Sequence, residues 1–386
     1  MNKKPLAGKI RDADSRELKF QALAGDLRRG ILAGTWAVGA KLPTEAQLAA
    51  ETGLSLTTVR RAYEELEQEQ FVVRRQGAGS FVAERQPVRR RSRFTVGVLL
   101  PDTQLYYPRV LQGIEETLSG HDVSLHLATY NYMPEREDSN IQFLIDAGVD
   151  GLILVPTLTG IENPQKRVHE LTSLNVPVVL LERSLTDLGP GDRTEHVCSD
   201  HQGGAYDAVT HLRGLGHPTI ALLTRSNTPT APAIVAGYKR AAADLGFDPL
   251  VLQALKDEWE AGAAEGLVQA VMAAGVSAAL VFGDREAALL EAAARRAGVR
   301  IPEDLALVSY DDELADLAEV PLTAVSPAKH RMGRMAAEIL LRRLVEGDDC
   351  PIHQVRLRPR LVVRDSCGAK QRAENGATKL QQRLQK

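Results

Sequence analysis

At 386 residues, with 44% hydrophobic and 25% charged side chains, the chain has the composition of a soluble globular protein too long for one ordinary domain. It has no apolar run of about 18 residues and no apolar core of a secretory signal near its start, so we expect neither a membrane span nor export. Cys198, Cys350 and Cys367 are scattered and form no CxxC pair, which argues against a disulfide framework or a zinc site and favours the reducing cytoplasm.

The net charge of −3 conceals opposite charges in the two parts of the chain. Residues 1–93 hold 18 lysines and arginines against 11 acidic residues, a net charge of +7, whereas the remainder carries −10. A basic end suits a polyanion such as DNA. An acidic body keeps the rest of the protein away from non-specific DNA.

Residues 15–84 predict three helices followed by a two-stranded hairpin. The predicted elements span residues 17–32, 44–52, 56–69, 71–75 and 80–83. Gly53 ends the second helix, and Gly77 and Gly79 form the tip of the hairpin. This order is typical of a winged helix-turn-helix, which places its third helix in the DNA major groove and its hairpin beside it.

The start of the third helix and the hairpin tip are the expected DNA contacts, because residues at the N-terminus of a recognition helix reach base edges. Lys41 and Thr44 are placed for phosphate contacts. The predicted DNA-binding residues are Lys41, Thr44, Ser55, Thr57, Thr58, Arg60, Arg61, Gln76, Gly77 and Gly79. A solvated helix face is the alternative interpretation of the two arginines. The predicted core residues are Leu42, Leu48, Val59, Ala62, Tyr63 and Leu66.

Three stretches of this region resemble the GntR family of bacterial regulators over about residues 17–83. They are Lys41-Leu-Pro-Thr-Glu45, Gly53-Leu-Ser-Leu-Thr-Thr-Val-Arg60-Arg-Ala62 and Gln76-Gly-Ala-Gly-Ser-Phe-Val82. The chain has Leu56 where the family commonly has arginine, and Ala46 where some members have arginine. Two potential contacts to DNA are therefore lost, and a family operator sequence is not expected to apply.

Residues 85–93 are arginine-rich and have no apolar face, so they predict a linker, and a flexible tail is expected over 365–386. From residue 94 to 364, short apolar runs alternate with amphipathic segments. The runs are 95–100, 123–128, 151–155, 176–181, 220–223, 278–282 and 305–309. This alternation predicts an α/β fold with a doubly wound parallel sheet, and its length favours two lobes.

Residues 94–363 resemble the effector domain of the lac and gal repressor family, which has the type I periplasmic-binding-protein fold. The matching stretches include Asp150-Gly-Leu-Ile153, Ser199-Asp-His-Gln-Gly-Gly204, Gly237-Tyr-Lys-Arg-Ala241, Ser309-Tyr-Asp-Asp312 and Leu361-Val-Val-Arg364. The resemblance implies a ligand-binding and dimerisation domain over 94–364. Its combination with a GntR-type head resembles the arabinose repressors of Gram-positive bacteria.

Ligands of open parallel sheets bind at the carboxyl ends of the strands, so polar residues after strands are the candidates. The predicted ligand-binding residues are Tyr106, Tyr107, Asn131, Glu182, Arg183, Arg225, Asp284 and Asp311. The resemblance implies ligand contacts for the tyrosines, Glu182 and Asp311, whereas a helix N-cap is the favoured interpretation of Asp284. Most of the family has an effector-binding arginine at the position of Ile234. Arg225 or Arg183 is the expected substitute, or the ligand differs from the family's common sugars.

Together these features predict a cytoplasmic, ligand-responsive transcriptional regulator, a repressor rather than an activator. It would bind double-stranded operator DNA as a homodimer and a small effector, a sugar or a derivative, between its lobes. We expect no enzyme, catalytic residue, metal or cofactor, because the chain has no clear Ser/His/Asp constellation, no HExxH and no P-loop. The alternatives are an architectural DNA-binding dimer whose cleft no longer binds ligand, and a transport receptor.

Overall fold

The computed structural model describes residues 16–32, 34–75, 77–83, 94–183, 192–226, 228–260 and 262–371. The chain divides into two compact units, Met1–Arg91 and Ser92–Lys386, which we call the head and the body. The predicted linker 85–93, Gln76 and residues 372–386 lie outside the described residues. Among the described residues, no helix has the length and apolar character that crossing a bilayer requires.

The head has the predicted order of three helices and a hairpin. Its elements are α1 (Arg16–Leu32), α2 (Glu45–Thr52), α3 (Leu56–Gln68), β1 (Val72–Arg75) and β2 (Gly79–Val82). Thr44 and Gln47 form a capping box at the start of α2, and Gly53 ends that helix in the left-handed conformation with φ of 71°. Ser55 then caps α3, so the tight turn between the helices follows from the local sequence.

A single apolar core holds the head together. Leu23 and Leu27 of α1 pack with Val59 and Leu66 of α3. The six residues predicted as core are all buried, which confirms that prediction. Burial of an aliphatic side chain contributes about 1.5–3 kcal/mol, so this core fixes the angle between the helices.

The body contains two six-stranded sheets. The first has the order β13-β7-β6-β5-β3-β4 and is entirely parallel. Its strands are β3 (Thr95–Leu100), β4 (Ser124–Thr129), β5 (Gly151–Leu154), β6 (Val178–Leu181), β7 (Glu195–Ser199) and β13 (Gln354–Leu357). The helices of this first lobe are α4 (Tyr107–Ser119), α5 (Pro134–Asp146), α6 (Pro164–Thr172) and α12 (Lys329–Glu346).

The second sheet has the order β14-β12-β11-β10-β8-β9, and only β14 runs antiparallel to its neighbour. Its strands are β8 (Ala221–Arg225), β9 (Leu250–Ala254), β10 (Ala278–Val281), β11 (Ala306–Tyr310), β12 (Thr323–Ser326) and β14 (Arg360–Val362). The helices of this second lobe are α7 (His201–Gly214), α8 (Ala231–Leu245), α9 (Lys256–Glu260), α10 (Ala263–Ala273) and α11 (Asp284–Arg296). The prediction of a two-lobed, doubly wound α/β body is therefore confirmed.

The sequence did not predict β7, β9, β12, β13 or β14. Most of these strands are short and mix polar with apolar residues, so they lack the continuous apolar run of a central parallel strand. The start of the predicted tail was wrong for a related reason. Ser366 and Cys367 are buried, and the Ser366 hydroxyl donates to the carbonyl of Leu307 at 2.7 Å, so residues 365–371 pack against the second lobe.

The chain passes between the lobes three times, after β7, after β12 and after β13. Each lobe is therefore assembled from separate segments of the sequence. Short connections of this kind are where hinge motions occur in two-lobed proteins that close around a ligand.

Glycines allow the closest helix contacts in each lobe. A Cβ atom at Gly113 of α4 would overlap the carbonyl oxygen of His330 in α12, and one at Gly333 would overlap that of Val110. In the second lobe, a Cβ atom at Gly237 of α8 would overlap the carbonyl oxygen of Gln202 in α7. The backbones of these helix pairs thus meet without intervening side chains.

The Gly113→Ala variant should therefore lower the free energy of unfolding by about 1–3 kcal/mol or more, because the added methyl group forces α4 and α12 apart. Gly266→Ala is the control, since its Cβ atom would meet nothing within 4 Å and alanine favours the helix by up to about 1 kcal/mol. Thermal unfolding checks both. Equal melting temperatures of wild type and Gly113→Ala would contradict the close approach.

Candidate functional site

The N-terminus of α3 presents some of the predicted DNA-binding residues and buries another. The Ser55 hydroxyl accepts from the Thr58 backbone N–H at 3.2 Å and lies 2.7 Å from the Thr58 hydroxyl. Thr58 is only 7% exposed, so its side chain completes the helix cap and does not point outward, contrary to the prediction. Thr57 is exposed, and so is Leu56, which occupies the first turn in place of an arginine.

The two arginines of α3 have different surroundings. The Arg60 side chain is 59% exposed, and its Nε lies 3.1 Å from the Glu45 carboxylate. The same carboxylate lies 3.3 Å from Arg74 of the hairpin, so one acid links α2, α3 and β1. The Arg61 guanidinium instead lies over the Phe20 ring of α1 at 4.2 Å, a contact that holds it against the helix core.

The hairpin carries a second group of cations. Lys41 and Arg75 both lie over the Phe81 ring, at 6.0 and 4.9 Å from its centroid. Gly77 and Gly79 have φ of 73° and 111°, values that side chains rarely adopt, so they make the tight tip. Thr44 is exposed, but its hydroxyl caps α2. The head thus exposes Lys41, Arg60 and Arg75 on its surface. Lysine and arginine are the residue types that bind phosphates, and arginine is the usual partner of guanine.

A cleft in the body contains a cavity of about 450 Å³ and an adjoining chamber of about 100 Å³. Residues from the carboxyl ends of strands in both sheets line them. The shared lining residues are Tyr106, Tyr107, Tyr132, Arg225, Thr228, Pro229 and Asp311. Asp284 lines only the larger cavity, whereas Glu182 and Arg183 line only the smaller chamber.

Seven of the eight predicted ligand-binding residues therefore line the cleft, and Asn131 does not. Asn131 is an exposed turn residue with φ of 52°, and its backbone N–H donates to Pro101 at 2.7 Å. Its neighbour Tyr132 contributes to the lining instead. Asn131 and Tyr132 both follow a strand, so the sequence did not show which of them faces the cleft. The conformation of the turn decides this.

The Glu182 carboxylate is already occupied by donors of the protein. It accepts from the Tyr106 hydroxyl, from the Ser199 hydroxyl and backbone N–H at 2.8 and 3.1 Å, and it lies 3.2 Å from His201 Nε2. Burial raises its pKa, but the charge and hydrogen bond of His201 and the hydrogen bond from Tyr106 outweigh burial and lower the pKa to about 2. Glu182 therefore positions its neighbours, and it has little capacity left to accept from a ligand.

Asp311 has the opposite environment. Among the described residues its carboxylate receives no hydrogen bond, although Lys329 donates to its backbone carbonyl. Burial raises the pKa of Asp311 to about 6, against the opposing charge of Lys329. A carboxylate left without donors in a cavity is suited to accept hydrogen bonds from a bound molecule.

Asp284 stabilises a loop. Its carboxylate accepts from the Ser309 hydroxyl at 2.7 Å and from the backbone N–H groups of Glu313 and Leu314 at 2.5 and 3.0 Å. No side chain caps α11, so the expected N-cap was wrong. Asp284 fixes the loop that carries Asp311, and its own oxygens are occupied.

Ile234 is fully buried in the core of the second lobe, so this position contributes nothing to the cleft. Arg183 and Arg225, the expected substitutes, both line the smaller chamber. The cleft residues that the sequence did not indicate include Tyr132, His201, Glu286 and Glu313. His201 stands in the Ser199–Gly204 stretch quoted above, and that stretch was the one signal that could have identified it.

Comparison with known proteins agrees with this architecture. Residues 19–82 match the gntR family of bacterial regulatory proteins, and residues 209–367 match a periplasmic binding protein-like domain. The arabinose metabolism transcriptional repressor of Geobacillus stearothermophilus is 28% identical over 357 residues, which cover 90% of this chain and 97% of that protein.

Solved structures are similar to the fold as well. The structure of a transcriptional regulator CelR–cellobiose complex has 24% identity and a TM-score of 0.61, and the match covers 92% of this chain and 100% of that chain. A LacI family regulator from Enterococcus faecium with bound ribose has 23% identity and a TM-score of 0.56, with 70% and 98% covered.

The chain thus combines a GntR-type helix-turn-helix with a periplasmic-binding-protein-like domain. Its relatives over nearly the whole length are DNA-binding transcriptional repressors. The protein is a ligand-responsive DNA-binding regulator and not an enzyme.

The exposed Arg60 gives a test of the DNA-binding surface. Arg60→Ala should weaken binding to an operator, selected from a random DNA pool, by about 1–3 kcal/mol if Arg60 contacts a base. Arg29→Ala is the control, because Arg29 is 73% exposed and pairs with Asp26 of its own helix. A gel-shift titration measures both, and equal affinities of the two variants would remove Arg60 from the interface.

The raised pKa of Asp311 gives a stability test. An acid whose pKa is raised on folding destabilises the folded state at pH above about 6, and the destabilisation disappears as the pH falls below about 4. Asp311→Asn should therefore raise the unfolding free energy at pH 7.5 by an amount on the order of 2 kcal/mol, with no gain at pH 4.

Asp304→Asn is the control for this measurement. The hydrogen bond from Arg300 lowers the pKa of Asp304 to about 2, so its removal should have the opposite sign at pH 7.5. Thermal unfolding at both pH values checks the pair. If Asp311→Asn is instead less stable than wild type at pH 7.5, the folded protein stabilises the charged Asp311 carboxylate, and the expected sign is wrong.

Proposed function

We propose that the protein is a cytoplasmic, homodimeric repressor that releases its operator DNA when a sugar or sugar derivative binds in the cleft of the body. The observation that carries this proposal is the Asp311 carboxylate, which lines the cavity without a hydrogen-bond donor among the described residues. A molecule that presents hydroxyl groups would supply those donors.

The other lining residues suit the same class of ligand. Tyr106, Tyr107 and Tyr132 offer aromatic surface for the C–H face of a sugar ring. The cavity of about 450 Å³ lies within the usual range of small-molecule sites. The named ligands of similar structures, cellobiose and ribose, are also sugars, and the relative from Geobacillus stearothermophilus is a repressor of arabinose metabolism.

The crossovers supply a route from ligand to DNA. A sugar that contacts residues of both lobes favours the closed arrangement, and it shifts the equilibrium only by its difference in affinity for the two arrangements. In a dimer, a change of lobe angle alters the spacing of the two heads on a pseudo-palindromic operator. A coupling of about 1–3 kcal/mol would weaken operator binding roughly 5- to 150-fold.

On the head, the proposed DNA-contacting residues are Lys41, Thr57, Arg60, Gly77 and Gly79, which are exposed. Thr44 and Ser55 are exposed too, and their hydroxyls act in helix caps, so backbone N–H groups beside them are the groups available to phosphates. Arg61 would assist through its packing on Phe20.

The test combines ligand screening with DNA release. Wild-type protein is melted with pentoses, hexoses, disaccharides and sugar acids, and a true effector at 100 times its dissociation constant should stabilise it by about 2.7 kcal/mol. The same sugar should release operator DNA in a gel shift. Asp311→Asn should bind DNA normally and fail to release it.

Asp146→Asn is the matched control, because this carboxylate at the end of α5 contacts Gln142 and does not line the cleft. DNA release that persists in Asp311→Asn would show that the cleft assignment is wrong. If no sugar shifts the melting temperature, the architectural DNA-binding dimer becomes the better account. Sedimentation velocity tests the dimer independently.

A further inference from the structure

Two arginines, one from each lobe, line the smaller chamber of the cleft. Arg183 follows β6 in the first lobe, and Arg225 ends β8 in the second lobe. Burial raises the pKa of the Tyr132 hydroxyl, and the positive charges of Arg183 and Arg225 both oppose that rise. The chamber therefore brings two fixed positive charges to one place at the boundary between the lobes.

These guanidinium groups use few of their N–H donors. Within the described part of the chain, Arg183 donates one hydrogen bond, to the carbonyl of Glu182 at 3.0 Å. Arg225 makes no hydrogen bond there, although its Nε lies 3.3 Å from the Glu286 carboxylate in an ion pair. The Nε of Arg225 is buried without a hydrogen-bond partner. A guanidinium carries several donors in a rigid fork, so most donors of these two arginines have no acceptor among the described residues.

The neighbouring carboxylates do not supply the missing acceptors. The Glu182 carboxylate accepts hydrogen bonds from Tyr106 and Ser199 and lies beside His201. The Asp284 carboxylate accepts hydrogen bonds from the Ser309 hydroxyl and from two backbone N–H groups of the following loop. Glu313 pairs with Lys329 at 2.7 Å. Among the described residues, Glu286 is the carboxylate within ion-pair distance of Arg225, and none lies within that distance of Arg183. Burial lowers the pKa of Arg183, and the negative charge of Glu182 is one of the charges that raise it overall.

The surroundings make the unused donors more effective. Arg225 lies over the Phe282 ring at 5.5 Å, and Arg183 lowers the pKa of Tyr107, which burial raises. Aromatic walls exclude water and orient a guanidinium, so that an ion in the chamber would interact at a low local dielectric constant. Arginine pairs with planar oxyanions through two parallel hydrogen bonds.

We propose that the effector carries an acidic group, a carboxylate or a phosphate, which binds between Arg183 and Arg225 while its hydroxyl groups reach Asp311. The inference rests on the proposed function and narrows the ligand class to sugar acids or sugar phosphates. Because the arginines belong to different lobes, the acidic group contacts both lobes at once and favours their closure. The remainder of the ligand lies beside Asp311, which accepts hydrogen bonds from its hydroxyl groups.

Isothermal titration of the full-length protein with matched compounds tests this inference. The pairs are arabinose with arabinonate, glucose with gluconate, galactose with galacturonate, and ribose with ribose 5-phosphate. At least one acidic member should bind roughly 10- to 100-fold more tightly than its neutral partner, the range expected for hydrogen bonds to a charged group. The sugar acids and the phosphate distinguish the two sources of the charge.

Arg183→Gln should remove most of that preference, measured as the ratio of the two affinities within each pair. Arg183→Lys, which keeps the charge but loses the fork, should fall between wild type and Arg183→Gln. Arg240→Gln is the matched control, since Arg240 is 68% exposed, pairs with Asp244 of its own helix and lines neither chamber. Circular dichroism verifies that each variant is folded.

The outcomes separate the inference from the proposed function. Tight binding of a neutral sugar with no preference for its acid would overturn the inference and leave the sugar-responsive repressor standing. An acid preference that survives unchanged in folded Arg183→Gln and Arg183→Lys would also overturn it. If neither neutral nor acidic sugars bind, both the inference and the proposed sugar effector fail.

Discussion

The Glu182 carboxylate is the constraint on which the cleft depends. It joins Tyr106 and Ser199 of the first lobe to His201, the first residue of α7 in the second lobe, and His201 Nδ1 lies 3.2 Å from the Tyr310 hydroxyl of the second lobe. A buried carboxylate without donors would destabilise the protein, so these contacts must persist for Glu182 to remain ionised. They orient Tyr106 toward the cavity and connect its position to the angle between the lobes.

The cleft contains two kinds of charged group. Some are hydrogen-bonded to other parts of the protein, and others have few partners among the described residues. Glu182 and Asp284 are surrounded by donors and shape the walls. Asp311 and the two cleft arginines have few partners among the described residues, and burial raises the pKa of Asp311 to about 6. Such groups are unfavourable in the empty protein, and a ligand that pairs with them relieves this cost, which is the usual origin of affinity at a strained polar site.

The head and the body follow different physical requirements. The head is small and its recognition surface depends on helix caps and on a carboxylate, Glu45, that links Arg60 with Arg74. The body depends on close helix contacts through Gly113, Gly333 and Gly237, which hold the helices of each lobe tightly together. A basic head and an acidic body then confine DNA binding to one end of the chain.

The sequence by itself determined the local elements of the head and the alternation of strands and helices in the body, because capping residues, glycine turns and apolar periodicity act over short distances. It also placed most cleft residues, since the carboxyl ends of parallel strands meet at one edge. Only the tertiary structure decided that the polar groups of Thr58 and Glu182 are already hydrogen-bonded, that Asn131 lies outside the cleft and that Arg183 and Arg225 line the same chamber. Those outcomes depend on partners brought together from distant segments by the crossovers, and no local pattern encodes them.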